Sequence, residues 1–343
     1  MNIDREEFVA LLGKLKPALR AGSSIPTLSH LWFDEKSVTA YDGGFGIRFP
    51  LDTELSCGIP GSPFMGLLST SVLKEASLEQ NSSYLNIKMG RATSKLAILD
   101  LDQQMWPFPQ KLPKKAATTE LGEEFIEGLR KVLVVKATTP TRVEHHGIMA
   151  EGEDDKLYLY ATDSVTMSAV TLDVDASFKK VLLPRLFAEQ IVAQSPAGVA
   201  LTVMDDCIIA AGDEVTFYSN LLEISAADDL GKIITDNQSE HPRPMPIPAG
   251  LEGALARAEI LAGREEAVVS LSVEKGNLVV SGDYALGKLK ESLELEGSHP
   301  SVKIRIEAQQ LHRALTITES ISLTGDSVLL RGEPDFLYLI ASK

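Results

Sequence analysis

Residues 38–52 read VTAYDGGFGIRFPLD, with three glycines set around an aromatic residue and an arginine. Two readings compete for this stretch. A phosphate-cradling loop is followed by a helix whose amide N–H groups face the anion. Here the glycines lead into IRFPLDTEL (47–55), which alternates apolar and polar residues as a strand does. The stretch therefore reads as a strand–turn–strand corner.

The corner recurs. LYLYATDSVTMSAVTLD (157–173) places Asp163 where the first copy has Asp42, 121 residues earlier. LVVSGDYALGKLKESLEL (278–295) places Asp283 a further 120 residues on, in a weaker match. A phosphate loop has no reason to recur with its glycines replaced by Ser-Val-Thr or Tyr-Ala-Leu, whereas a structural corner does. Each copy follows a helical pattern. In REEFVALLGKLKPAL (5–19) Phe8, Leu12, Leu15 and Leu19 form one stripe; Phe125, Leu129 and Val132 do so in 122–135, and Leu251, Leu255 and Ala258 in 249–261. A second helix follows each corner, in 61–76, 183–194 and 306–317, and short alternating strands fill the remainder. Each unit thus reads as helix, strands, helix, strands over about 115 residues, the size of an independent α+β domain. Pro107, Pro109 and Pro113 mark one joint, and Pro242, Pro244, Pro246 and Pro248 another, as semi-rigid spacers. The expected domains are 1–115, 116–241 and 242–343.

Composition sets limits on function. The chain has 343 residues, 44% hydrophobic and 24% charged, and a net charge of −15. No apolar run approaches the ~20 residues that cross a bilayer. MNIDREEF lacks the apolar stretch of a leader, and Cys57 and Cys207 form no Cys-x-x-Cys pair, so a reduced, cytoplasmic setting without membrane contact is expected. The charge is unevenly spread: 13 basic against 12 acidic residues over 1–115, 9 against 22 over 116–240, and 11 against 14 over 241–343. Such acidity argues against a protein that coats nucleic acid. The basic residues are more ordered. Lys14, Lys131 and Arg257 each lie six residues beyond Phe8, Phe125 and Leu251, about 240° round the helical wheel and off the apolar stripe. Lys16 and Arg20 reinforce the first helix, Arg130 the second, and Arg264 follows the third. The second helices carry Lys74, Arg185 and Arg313 at positions that do not match.

Catalytic signatures are missing. His145 and His146 are adjacent, so on a strand they point to opposite faces and cannot share an ion. No Gly-x-Ser-x-Gly, phosphate loop or His-Glu-x-x-His occurs. Neither a cofactor nor an enzymatic activity is expected.

Three α+β units with two helices each, together with IPTLSHLWF (25–33), HHGIMAEGEDDKLYLYATD (145–163), ALARAEIL (254–261) and the terminal FLYLIASK (336–343), resemble the bacterial-type DNA sliding clamp, the beta subunit of DNA polymerase III. The resemblance covers essentially the whole chain. It implies a homodimer closed head-to-tail into a ring of six domains, strands outside and helices lining a hole for duplex DNA. A ring holds DNA by topology and needs little affinity, so it can be acidic overall while inner cations favour the phosphates. It further implies a DNA polymerase and an ATP-dependent loader as partners. It implies, too, a peptide pocket between the second and third domains, built from a Thr-Asp-Gly-His-Arg-Leu-type turn, the linker and a Met-Pro-containing end. In this chain the turn is Thr162-Asp163-Ser164-Val165-Thr166-Met167, and the last residues, Leu339-Ile340-Ala341-Ser342-Lys343, lack Met-Pro. With Pro242 retained, the expected pocket comprises Thr162, Ser164, Val165, Thr166, Met167, Pro242, Leu339 and Ile340, with altered peptide specificity. Leu96 and Ile98 match the family's apolar edge positions in the first domain, and Ile260 and Leu261 those in the third, which makes them the expected dimer interface. The alternative reading is a scaffold of the same fold that binds partner peptides without encircling DNA.

Overall fold

A computed structural model describes residues 1–343 except 101–117, 137–141, 177, 179 and 225–228. The proline joint at Pro107, Pro109 and Pro113, and with it the first domain boundary, lies outside the described residues. The eight α-helices of the described residues are α1 (Arg5–Leu15), α2 (Pro26–Ser29), α3 (Gly61–Ser69), α4 (Glu123–Val132), α5 (Arg185–Gln194), α6 (Leu230–Glu240), α7 (Leu251–Ala262) and α8 (Ala308–Leu315). Apart from short 3-10 turns, the remaining regular structure of the described residues is antiparallel sheet, so the class is α+β, as the periodicity predicts.

The helix starts and stops have local causes. The Asp4 carboxylate caps α1 by accepting from the Glu6 and Glu7 N–H groups at 2.9 and 3.1 Å. Phe8, Leu12 and Leu15 are buried as the stripe predicts. Leu19, however, lies past the helix, because Pro17 cannot continue the hydrogen-bond ladder and the chain tightens into a 3-10 turn at Lys16–Ala18. In α4 Phe125, Leu129 and Val132 are fully buried, and in α7 Leu251, Leu255 and Ala258 are.

The chain forms two compact units. Unit 1 comprises Met1–Ile126 and Leu186–Leu221, and unit 2 Glu127–Arg185 and Leu222–Lys343. Residues 116–241 are thus shared between them. Unit 1 holds a four-stranded sheet ordered Asn2–Asp4, Glu75–Gln80, Tyr84–Met89, Ala92–Ala97. It also holds a nine-stranded sheet in which Thr216–Asn220 pairs with Phe45–Pro50. Unit 2 holds an eight-stranded sheet, in which Thr166–Leu172 pairs with Phe336–Ala341, and a four-stranded sheet ordered Gly287–Glu294, Asn277–Tyr284, Val268–Glu274, Lys303–Glu307.

The corner that opened the sequence reading is an Asx turn. The Asp42 carboxylate accepts from the Gly44 and Phe45 N–H groups at 2.9 and 2.7 Å, with Gly43 at φ 108°. At Asp163 the same oxygen accepts from Val165 and Thr166 at 3.0 and 2.6 Å, and Ser164 takes φ 78°. The aspartate therefore sets this turn, and the glycine only makes the positive φ easy. The third copy differs. Asp283 lies inside the strand Asn277–Tyr284 and pairs with Lys288 at 2.6 Å, so the hairpin turns two residues later.

The second proline joint is more than a spacer. Met245–Pro246 pairs with Ser320–Leu323, Met245 is buried, and the Ile247 N–H donates to the Glu319 carbonyl at 3.2 Å. His145 and His146 lie in a 3-10 turn, Val143–His146, instead of a strand; one is buried and the other exposed.

Candidate functional site

A groove of unit 2 is built around the Asp163 turn. Across the sheet Met167 stands opposite Leu339, and Leu339 opposite Leu329. These three share a face with Tyr160, and Leu230 and Ile234 of α6 pack on it. Because α6 covers only part of that face, a groove of about 410 Å³ remains beside the turn, a size that accepts a short peptide segment. Thr162, Ser164, Val165, Thr166, Met167 and Leu339 line it, which brings together six of the eight expected residues.

The other two are elsewhere. Ile340 pairs with Thr166 and Val328 and is fully buried on the opposite face of its strand. Pro242 borders a separate small cleft with Met245, His299 and Pro300. The opposite wall comes from α6, through Leu230, Ile233 and Asn237, which the sequence reading missed. Its signal was present: Asp229 as N-cap, accepting from the Lys232 N–H at 3.0 Å, ahead of apolar residues at 230, 233 and 234.

Polar groups fix the groove's shape. The Thr162 hydroxyl donates to the Thr166 carbonyl at 3.0 Å, and the Ala341 N–H to the Val165 carbonyl at 2.8 Å. His145 Nε2 lies 3.0 Å from the Ser164 hydroxyl. Beneath α6, His241 bridges the hydroxyls of Ser322 and Ser327 at 3.1 and 2.9 Å, and Ser327 donates to Asn237 Oδ1 at 3.1 Å. Burial, with Arg331 nearby, lowers the His241 pKa, so the neutral ring serves as one donor and one acceptor. Burial likewise raises the Tyr160 phenol, which stays protonated below the helix. Arg142 and Asp326 are exposed at the mouth, leaving charge at the rim and apolar surface within.

The expected cation row is not uniform. Lys14 is exposed on α1, with Nζ 5.5 Å from the Phe49 ring centroid. Lys16 and Arg20 are exposed beyond it. Lys131 departs from the expectation: it is buried, and its ammonium donates to the Glu333 carbonyl. Arg257 is exposed but held by Glu291 through two bonds of 2.6 Å from its Nε and Nη2. Arg130 pairs with Glu127 within α4. Lys74 follows α3 in a bend instead of lying on the helix, Arg264 is exposed after α7, and Arg313 is half-buried on α8. Arg185 is structural, donating to the Val135 and Leu133 carbonyls at 2.6 Å each and so closing the end of α4.

No protein-family model and no curated protein sequence matches the chain. Solved structures do match it along its full length. The DNA polymerase III beta chain of Streptococcus pneumoniae is 18% identical, with 100% of this chain and 98% of that one covered and a TM-score of 0.85. The DNA polymerase sliding clamp of Bacillus subtilis is also 18% identical, with 100% and 98% covered and a TM-score of 0.83. The beta clamp of Helicobacter pylori bound to a DNA ligase peptide gives 18%, 100% and 99%, and 0.84. The fold is that of the bacterial sliding clamp.

Within the clamp fold, the expected interface residues occupy two different kinds of element. Leu96 and Ile98 are half-buried on and just past Ala92–Ala97, an edge strand, where Tyr84 and Leu99 add exposed apolar surface. Ile260 and Leu261 lie on the last turn of α7, not on a strand edge. Ile260 is 70% exposed and Leu286, whose N–H donates to the Leu261 carbonyl, 71%. The free strand edge beside them belongs to Gly287–Glu294.

Proposed function

We propose that this protein is a sliding clamp, a non-enzymatic processivity factor. Two chains close head-to-tail around duplex DNA and tether a DNA polymerase to its template. The observation that carries this reading is the correspondence of the whole chain, and not one part of it, with clamp structures. Each chain contributes three domains, 1–115, 116–241 and 242–343, in keeping with Asx turns 121 residues apart at Asp42 and Asp163. A separate ATP-dependent loader opens the ring, and the protein works in the cytoplasm.

The groove between the Asp163 turn and α6 takes a short apolar peptide of the polymerase or loader. Met167, Leu230, Ile233 and Leu339 supply contact area, and the buried histidine and serine hydroxyls hold the walls. That a clamp of this fold was captured with a DNA ligase peptide supports peptide recognition here. Phosphate contacts fall to Lys14, Lys16 and Arg20, with Lys74, Arg130, Arg264 and Arg313 contributing; Lys131 is withdrawn, and Arg257 contributes only when Glu291 releases it. Ring closure pairs the edge strand at Leu96 and Ile98 with the surface formed by Ile260, Leu261 and Leu286.

Particle imaging with solution mass on one sample tests the reading. A two-chain particle of twice 37.1 kDa with a central hole supports it. A monomer without a hole leaves the second reading, a peptide-binding scaffold, which the buried Lys131 and the clamped Arg257 favour.

A further inference from the structure

A second basic surface lies on the four-stranded sheet of unit 2. Val269, Leu271, Val280, Ile304 and Ile306 are buried toward the core, so strand alternation turns Ser270, Ser281 and Arg305 outward. The register lines them up: Lys290 stands opposite Ser281, Ser281 opposite Ser270, and Ser270 opposite Arg305. Two cations therefore flank two hydroxyls in one row across four strands, roughly 14 Å between its ends at the usual strand spacing. Lys303 stands next to Arg305 on the same face, two residues along its strand.

One observation marks this face as unfinished. Among the described residues the Ser270 hydroxyl is buried and has no hydrogen-bond partner. Ser270 lines a cavity of about 600 Å³. Buried hydroxyls without partners cost stability unless something satisfies them.

The charges point to an anion. Of the acids lining the cavity, Asp283 is paired with Lys288 and Glu266 with Lys343. No ion pair of Lys290, Lys303 or Arg305 is found among the described residues, and only Glu265 opposes them. An extended nucleic-acid backbone would meet Glu265, Glu266 and Asp283 at the rim, whereas a small anion sits within it. A single phosphate is too short to engage cations at both ends of the row.

We infer that this cavity binds a small linear polyphosphate, free pyrophosphate or the triphosphate of a nucleotide, gripped by Lys290, Lys303 and Arg305 with the Ser270 hydroxyl as a neutral donor. The site needs neither ring closure nor the peptide groove, so it stands apart from the clamp reading.

Calorimetric titration of inorganic pyrophosphate into the full-length protein tests it. Saturable binding of one anion per chain is expected. Lys290→Ala and Arg305→Ala should each weaken it on the order of tenfold, the cost of a charge-assisted hydrogen bond. Ser270→Ala should weaken it several-fold without lowering the melting midpoint, since it removes a hydroxyl that has no partner in the free protein. Should either charge variant melt early, Lys303→Ala gives the same test on an exposed strand position. A parallel titration with dATP separates the sources: tenfold tighter binding than pyrophosphate assigns the site to nucleotides, and equal or weaker binding to the free anion. Absence of saturable binding at millimolar pyrophosphate overturns the inference. So does binding unchanged in Lys290→Ala and Arg305→Ala, equally lost in Lys14→Ala/Lys16→Ala, or displaced by a short DNA duplex.

Discussion

Replacing Lys131 by methionine separates a structural lysine from a DNA contact. The side chain is buried at the end of α4, and its ammonium donates to the Glu333 carbonyl, 202 residues away in sequence. Methionine keeps most of the volume and removes the donor. A hydrogen bond from a charged group is worth about 1.5–3 kcal/mol, but Glu333 is exposed and water replaces part of the loss, so about 1–2 kcal/mol is expected. For a unit the size of unit 2 that lowers the unfolding midpoint by about 2–8 °C. The assay pairs a thermal melt with the salt dependence of binding to a short linear duplex. Lys131→Met should move the melt and leave the slope of log K against log salt unchanged. Lys14→Ala should leave the melt and reduce the slope by about 0.9, the contribution of one phosphate contact. A Lys131→Met protein with an unchanged melt and a slope reduced by about 0.9 would refute the structural role.

Ile233→Asp puts a charge in the α6 wall of the groove at a position that is 36% exposed, and should abolish binding of a partner peptide with little change in the melt; retained binding by fluorescence anisotropy would remove α6 from the site. The Arg257 guanidinium holds the Glu291 carboxylate below its ordinary pKa, so the pair's stabilisation is present above the usual carboxylate range and lost as pH falls through the lowered value. Glu291→Gln should flatten that acid-side dependence and, by releasing Arg257, steepen the DNA salt slope by about 0.9; an unchanged slope would mean that Arg257 does not reach phosphate. Burial, with Asp100 second, pushes the Cys57 thiol up to about 12, and burial, with Asp206 second, pushes Cys207 to about 11. Iodoacetamide at pH 8 should therefore label neither cysteine in the native protein and both in guanidinium, read by intact mass. Leu96→Glu combined with Ile260→Glu should give monomers by light scattering, and a persistent dimer would place the interface elsewhere.

What was legible in the sequence follows from the range of the interaction involved. The Asp42 and Asp163 turns were readable because an Asx turn depends on one side chain and the two amides after it. The stripes of α1, α4 and α7 were readable because 3.6-residue spacing is local. Lys131 was misplaced for the same reason. A helical wheel measures direction from the helix's own apolar stripe, and nothing in it anticipates that the loop at Glu333 closes over that flank. The pairing of Ile340 with Leu339 as groove residues was avoidable: adjacent strand residues face opposite ways, so both cannot line one groove. The wall from α6 was only faintly marked, since LGKIITDNQSE follows the Asp229 N-cap but mixes polar residues with three apolar anchors and precedes a proline run. The partnership of Ser270 with Arg305 and of Ser281 with Lys290 depends on strand register, which a single sequence does not fix.

The central claim is topological, and retention on closed circular DNA tests it most directly. Protein assembled on a nicked plasmid with a compatible loader is passed over a sizing column before and after the plasmid is cut once. The clamp reading predicts co-elution with the circle in high salt and release within the dead time after linearisation, since a ring slides off an open end. Release from the intact circle at the same salt, or equal retention on circle and linear DNA, would contradict it.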